Sequence, residues 1–420
     1  MNLLEGILNK SRQVKYIPPP SKKPLSEKDI FSALNITIWN KKGGPSVFDI
    51  ALPGEKICIV VSDHTRRTNI NQVLPFLIRG LKEKGCASSD IFFLIASGIH
   101  RRPTQIEIEK ILGKDIAAAF SQQIIFHDPD NPSKLVSVGK TRRNHEVKLN
   151  KFFVEADKKI VTGTVSFHYH AGFGGGRKAI VPGIAARETI AFNHSLTLDP
   201  IEDKISPTVE PGKLDGNLVA EEMFEAASLC KPDIIINTVL SPAGDLIGLF
   251  CGDMDIAHRQ ACKMVEKYCV AKLKQKADLV IASAGTALNW IQSHKALYNA
   301  HRAVNPDGYV ILEAPCPEGL GDELFRKWIK LADVHAICRQ LRANPEILGQ
   351  TALSTYLKGK NTILITKLSE ADILDLGIQT ASDMPSAIKM ALNKLAVNGK
   401  TDPTWCILEQ ALHILPVVEE

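Results

Sequence analysis

Lys56 to Arg67 reads KICIVVSDHTRR, an unbroken apolar run that ends in a polar, charged tail. A strand with one wet face alternates apolar and polar side chains, so a continuous Ile/Val run belongs to a strand buried on both faces, as in a parallel sheet covered by helices. Parallel neighbours are joined by crossover helices, and in open α/β sheets ligands collect beyond the carboxyl ends of the strands. DHTRR is therefore expected as a functional loop at such an end.

The pattern repeats outward. Asn71 to Lys84 predicts a helix. Ile91 to Ala96 predicts a second strand, ended by Ser97, Gly98, Ile99 and His100. A helix from Thr104 to Leu112 follows Pro103, then a short strand Ile124 to His127. The strand Asp157 to Thr164 leads into FHYHAGFGGGRKAIVPG, Phe167 to Gly183. Further units are helix Asn217 to Cys230, strand Asp233 to Val239 and helix Met254 to Lys267. The polar stretch Ala271 to Ala277, AKLKQKA, reads as a linker or as the end of that helix. A second series then runs strand Asp278 to Ser283, helix His294 to Val304, strand Gly308 to Ala314, helices within Glu323 to Arg342, strand Asn361 to Lys367 and helix Met384 to Leu395. The expected class is α/β: two α/β domains with mostly parallel sheets and the active site in the crevice between them. Residues 1–270 would carry the motifs, and 271–420 would close the site.

Composition narrows the function classes. The chain has 420 residues, 45% apolar and 23% charged, enough for more than one core. Basic residues number 51 against 46 acidic, a net charge of +5 with no long block of either sign. A basic nucleic-acid arm is thereby excluded, and a small anionic ligand fits better than a polyanion. The opening MNLLEGILNKSRQ holds no signal-peptide core, and no run of eighteen apolar residues exists, so a cytoplasmic protein without membrane partners is expected. The nine cysteines include no C-x-x-C pair and read as buried thiols, not disulfides or a zinc knuckle.

The densest chemistry is the glycine-rich segment. Gly174 to Gly176 are costly to order, and their use is to let the backbone turn sharply or approach a ligand. No G-x-x-x-x-G-K-[ST] frame fits, and the dinucleotide fingerprint fails because Arg177 stands where its third glycine belongs. Two readings stay open: a phosphate cradle built of backbone amides, or a tight turn beside packed strands. Lys178 serves as counter-charge or nucleophile, and His168 and His170, two apart in an extended strand, would face opposite sides, making one of them structural. Asp63 can equally be a turn residue, His100 a solvated loop residue and Arg66 a surface charge. Their shared position at strand ends favours a common site.

The pattern H-x-x-x-G-x-x-G-G-x-K, occupied by His168, Gly172, Gly175, Gly176 and Lys178, is followed by Pro182-Gly183 and His194. Together with DHTR, SGIHR and the later Gln292 and Lys295, it resembles the nickel-dependent lactate racemase family over roughly positions 55 to 320. The resemblance implies an isomerase, a racemase or epimerase of a 2-hydroxy acid. Its cofactor would be a nickel-pincer nucleotide, pyridinium-3,5-bisthiocarboxylic acid mononucleotide with nickel, attached covalently at Lys178 and made by separate biosynthesis enzymes. His194 would complete a nickel coordination otherwise supplied by carbon and sulfur, a soft donor set suited to the divalent ion. Hydride would move reversibly between the substrate's C2 and the cofactor, with His100 and His168 as alternate acid and base for the hydroxyl proton. Arg66, Lys295 and Gln292 would bind the anionic substrate; Asp63, Thr65, Gly175 and Gly176 would line the cofactor.

Three departures stand out. Arg67 replaces the family's usual proline, Ile291 stands where lactate-specific members tend to carry an aromatic, and Arg177 adds a cation beside the tether. Extra cations predict a larger or more acidic hydroxy acid. The alternative is a diverged member that binds a pyridinium nucleotide without racemising. A metal-dependent hydrolase built on the same histidines is disfavoured because H-E-x-x-H is absent.

Overall fold

The computed structural model describes residues 7–40 and 44–419. They form two compact units: Ser21–Leu196 with Thr208–Tyr268, and the residues up to Pro20 with Thr197–Pro207 and the chain from Cys269 onward. A single cut at residue 270 differs from this by giving the amino-terminal stretch and Thr197–Pro207 to the earlier domain. Both are held in the later unit by specific pairings: Tyr16–Ile17 lies antiparallel to Val270–Leu273, and Asp203 accepts from His335 and Arg342.

The unit that carries the motifs is built on a six-stranded sheet. Its strands are β1 (Ile57–Ser62), β2 (Ile91–Ala96), β3 (Ile124–Phe126), β4 (Lys158–Val165), β5 (Ile234–Leu240) and β6 (Leu246–Gly252), in the spatial order β6-β5-β4-β1-β2-β3. All neighbours are parallel except β5 and β6. Ile57, Ile59, Val61, Phe93 and Ile95 are fully buried, as the continuous apolar runs require. Five helices flank the motifs: α1 (Leu74–Glu83), α2 (Gln105–Leu112), α3 (Arg187–Ser195), α4 (Leu218–Ser228) and α5 (Ile256–Tyr268). α2 starts at a reciprocal cap in which the Thr104 side chain accepts from Glu107 N–H and Glu107 accepts from Thr104 N–H. The antiparallel edge strand β6 was not foreseen. It returns through the tight turn Ser241–Asp245, where Ser241 N–H donates to Asp245 O (2.8 Å) and Gly244 N–H to Ser241 O (2.8 Å).

The later unit holds a five-stranded parallel sheet of β7 (Ala277–Ser283), β8 (Val304–Glu313), β9 (Thr362–Ile365), β10 (Gln379–Thr380) and β11 (Trp405–Leu408), ordered β10-β9-β8-β7-β11. Helix α6 (Trp290–Ala303) begins four residues before the expected His294, because Asn289 caps it by accepting from Gln292 N–H at 3.1 Å. The stretch Ala271–Ala277 is neither linker nor helix end. Val270–Leu273 is a strand with Ala271 and Leu273 buried and Lys272 exposed, a period-two pattern that its lysines obscure, and β7 starts at Ala277. All nine cysteines are free thiols, eight of them buried. Among the described residues no helix is long and apolar enough to cross a membrane.

Candidate active site

Ser62 and Ala96 are register partners at the ends of β1 and β2, so the residues that follow them emerge side by side. His100 N–H donates to Ser97 O at 2.9 Å, and this tight turn brings the His100 ring back over Asp63. There Nδ1–H donates to Asp63 Oδ2 at 2.6 Å, while Thr65 donates to Oδ1 from its hydroxyl (2.7 Å) and its backbone N–H (3.2 Å). Burial of Asp63, only 2% exposed, opposes ionisation. The charge and hydrogen bond of His100, the charge of Arg66 and the bond from Thr65 outweigh it, so the carboxyl lies below its ordinary range. An ionised Asp63 fixes the His100 tautomer with Nδ1 as donor, which leaves the Nε2 lone pair to take a proton. Arg66 stands half-buried beside this pair.

Beyond β4 the chain folds back on itself. Phe167–His168 pairs antiparallel with Gly172–Phe173, with the two phenyl rings stacked at 5.2 Å. His168 therefore ends a two-residue strand and His170 sits on the turn that follows, so the two do not share one extended strand, which removes the basis for placing them on opposite faces. The backbone N–H groups of His170 and Ala171 both donate to His168 Nδ1, at 3.2 and 3.1 Å. His170 is held through its own carbonyl, which accepts from Asn217 Nδ2 at 2.9 Å, and its ring packs on Tyr169 at 3.8 Å.

The glycine turn then lies on the sheet. Gly174 N–H donates to Ser166 O (2.8 Å), Gly176 N–H to Asn237 Oδ1 (2.8 Å) and Lys178 N–H to Gly175 O (3.0 Å). Gly175 and Gly176 have φ of 71° and 51°, in the left-handed region. A Cβ at Gly175 would stand 2.7 Å from Val165 Cγ2, and one at Gly176 would stand 2.9 Å from His258 Cδ2. These glycines are thus demanded by close approach to β4 and α5, the tight-turn reading of the segment. Gly176→Ala is expected to lower stability by at least about 1–2 kcal/mol from the backbone conformation alone, seen as a lower midpoint in urea denaturation.

Two residues that sequence reasoning missed hold this turn. Asn237 is a fully buried polar residue in the apolar run IIINTVL, and that interruption was its available signal. His258 Nε2–H donates to Gly174 O at 2.8 Å, and its Nδ1 accepts from Arg177 Nη1 at 3.2 Å. Burial first, then the Arg177 charge, pushes His258 down to about 3, so it is the neutral acceptor this geometry needs. Arg177 is thereby turned into the protein, 4% exposed. Arg67 is exposed, donates to Ala243 O at 3.3 Å and packs over Gly244. Both cations invoked to predict a larger acid are committed elsewhere, so that expectation loses its physical basis.

Lys178 Nζ lies 2.6 Å from His168 Nε2. His194, in the last turn of α3, donates from Nδ1 to Ile190 O at 2.9 Å, which leaves its Nε2 lone pair for a ligand role. Burial pushes His194 down to about 4, so the ring is neutral at physiological pH. Among the described residues no group of three or more His, Cys, Asp or Glu side chains could hold a metal ion. A metal bound by His194 would need most of its donors from a bound group, and the neutral imidazole and nearby lysine suit a cofactor that brings its own.

The two loop systems are joined by Gly98 N–H, which donates to Gly183 O at 2.9 Å. Asp63, Thr65, Arg66, His100, His168, Gly175, Gly176, Lys178 and His194 all belong to this one unit. Gln292 and Lys295 belong to the other unit, on the first turns of α6, where Lys295 Nζ donates to Gln292 Oε1 at 2.7 Å.

Comparison with known proteins places this arrangement. Residues 4–204 match the lactate racemase N-terminal domain, and residues 272–408 match the lactate racemase C-terminal domain. The lactate racemase of Thermoanaerobacterium thermosaccharolyticum is 29% identical over 378 residues, 87% of this chain and 86% of that protein. That of Lactiplantibacillus plantarum is 32% identical over 364 residues, 84% of each chain. The solved lactate racemase apoprotein from T. thermosaccharolyticum superposes with a TM-score of 0.83 at 28% identity, covering 98% of this chain and 96% of that one. A Thermotoga maritima protein shares the fold alone, with a TM-score of 0.72 at 19% identity over 95% of this chain and 100% of its own. With both halves matched and the likeness running through most of its length, the chain belongs to the lactate racemase family.

Proposed function

We propose that this protein is an isomerase that racemises a small 2-hydroxy acid by means of a nickel-pincer nucleotide tethered to Lys178. The observation that carries the reading is the Asp63–His100 pair at 2.6 Å. A protein that merely bound a nucleotide would have no use for a buried, ionised carboxylate that fixes one imidazole tautomer; an enzyme that moves a proton does.

The nucleotide, when bound, would supply the acceptor for hydride from the substrate's C2. The chain's own groups would do the rest. His194 would present a neutral Nε2 to nickel, and Lys178 would anchor the nucleotide close to it. The glycine turn and Thr65 would border the same place. His100 would take the hydroxyl proton of one enantiomer at Nε2, and His168 would return a proton on the opposite face, the roles reversing with direction. Arg66 would offer a planar bidentate fork for the substrate carboxylate.

With Arg67 and Arg177 engaged elsewhere, a monocarboxylic acid of lactate size is the expected substrate. The test is protein co-produced with the nickel-pincer biosynthesis enzymes and offered single enantiomers of lactate, 2-hydroxybutyrate, mandelate and malate, with products resolved by chiral chromatography. Either lactate enantiomer should relax to an equal mixture, and malate should react at least about tenfold more slowly, the effect of one unmatched charge worth about 1.4 kcal/mol. Loaded protein that interconverts none of these acids would remove the reading.

A further inference from the structure

Two hydrogen bonds set the tautomer of His168. The backbone N–H groups of His170 and Ala171 converge on Nδ1, at 3.2 and 3.1 Å, so its lone pair is in use. A neutral ring must then carry its hydrogen on Nε2. That atom lies 2.6 Å from Lys178 Nζ. An ammonium group has only hydrogens to present, and two N–H donors facing each other repel; a free amine presents a lone pair. The distance therefore fits an Nε2–H that donates to an uncharged Lys178.

We infer that His168 holds Lys178 as the neutral amine, its nucleophilic form, before any cofactor is attached. The inference deepens the tethered-cofactor reading above and rests on it for its purpose. A hydrogen bond to the neutral form disfavours the charged one, so protonating Lys178 costs the bond to His168. Attachment then balances without a further reagent. Nζ turns its lone pair from His168 to a thiocarboxyl carbon of the pyridinium nucleotide, an N–C bond forms, the C–OH bond breaks, and the amine hydrogen leaves with the hydroxyl as water. The thioamide nitrogen has its lone pair delocalised and no longer accepts, so His168 Nε2–H is released. His168 is thus a positioning residue for Lys178 first, and reaches the substrate only in the loaded enzyme. His100 needs no such release, because its bond to Asp63 already leaves Nε2 outward.

The test uses the full chain made without the biosynthesis enzymes. It is labelled with limiting N-hydroxysuccinimidyl acetate from pH 7 to pH 9, and the rate at each lysine is read by peptide mass spectrometry. Ordinary lysines, far below a pKa near ~10.4, gain about tenfold in reactive amine per pH unit. The exposed Lys151 and Lys272 should follow that slope, while half-buried Lys178 should change less than about threefold across the range. His168→Ala and His168→Glu should each restore the steep slope, the second by pairing a carboxylate with the ammonium. A wild-type Lys178 profile as steep as those of Lys151 and Lys272 overturns the inference without recourse to any variant. Intact mass of protein co-produced with the biosynthesis enzymes separates the two readings. A flat profile with no adduct sinks the tether and leaves the amine assignment standing; a steep profile with a full adduct does the reverse.

Discussion

Cofactor-loaded His100→Ala is expected to racemise lactate about 10²-fold to 10⁴-fold more slowly, the span that positioned proton transfer contributes. The effect should fall on kcat, because the carboxylate-binding role proposed for Arg66 would be left intact. His168→Ala should lose a comparable factor wherever it is loaded at all, and loading must be measured by mass before its rate is read. Normal turnover in either loaded variant would refute the two-base scheme. Asp63→Asn keeps the shape but not the charge that holds His100 Nδ1–H, so it should fall between wild type and His100→Ala. The sign of its pH dependence follows from the direction of the shift. Asp63 is held below its ordinary range, so its ionised form and the stability it adds are present above that range and are lost only as pH falls through the depressed folded value. The ratio of wild-type to Asp63→Asn rate should therefore be about the same at pH 6 as at pH 8.

His194→Ala should abolish nickel retention while leaving the mass adduct on Lys178. The separation is sharp because the two residues are held independently: His194 by its bond to Ile190 O, Lys178 by its bond to His168. Removing an outer partner of a metal ligand typically costs 10–100-fold in affinity, and removing the ligand itself should cost at least about that much. Elemental analysis after gel filtration reads nickel per chain, and intact mass reads the tether. A His194→Ala protein with wild-type nickel content would end the assignment of that residue. Lys178→Ala should show the converse failure, with no adduct formed.

The strand-end loops were legible because their signal is local. KICIVVSDHTRR and IFFLIASGIHR each switch from apolar to polar at one residue, and the parallel register of β1 and β2 then brings Asp63 and His100 together without further information. The elements that were missed have non-local causes. Val270–Leu273 is a strand because Leu415–Val418 and Tyr16–Ile17, far away in sequence, flank it on either side. Edge strand β6 exists because β5 offers an unpaired side. Around the site, the same division holds. Lys178 and His194 were visible as motif residues, whereas Asn237 and His258 act through bonds to Gly176 N–H and Gly174 O that no spacing announces. Arg67 and Arg177 show the opposite error: their charge was legible, but the direction of each side chain depended on Ala243 and His258.

The excursion of Thr197–Pro207 bears on how the chain can be divided. This segment counts with the later unit, where Asp203 accepts from His335 and Arg342, although Thr208–Tyr268 of the earlier unit follows it in the chain. A piece starting at Cys269 would leave His335 and Arg342 without that carboxylate, and a piece ending at Tyr268 would carry Asp203 without those two donors. The later unit is thus assembled from separate passes of the chain, and no single cut yields it whole.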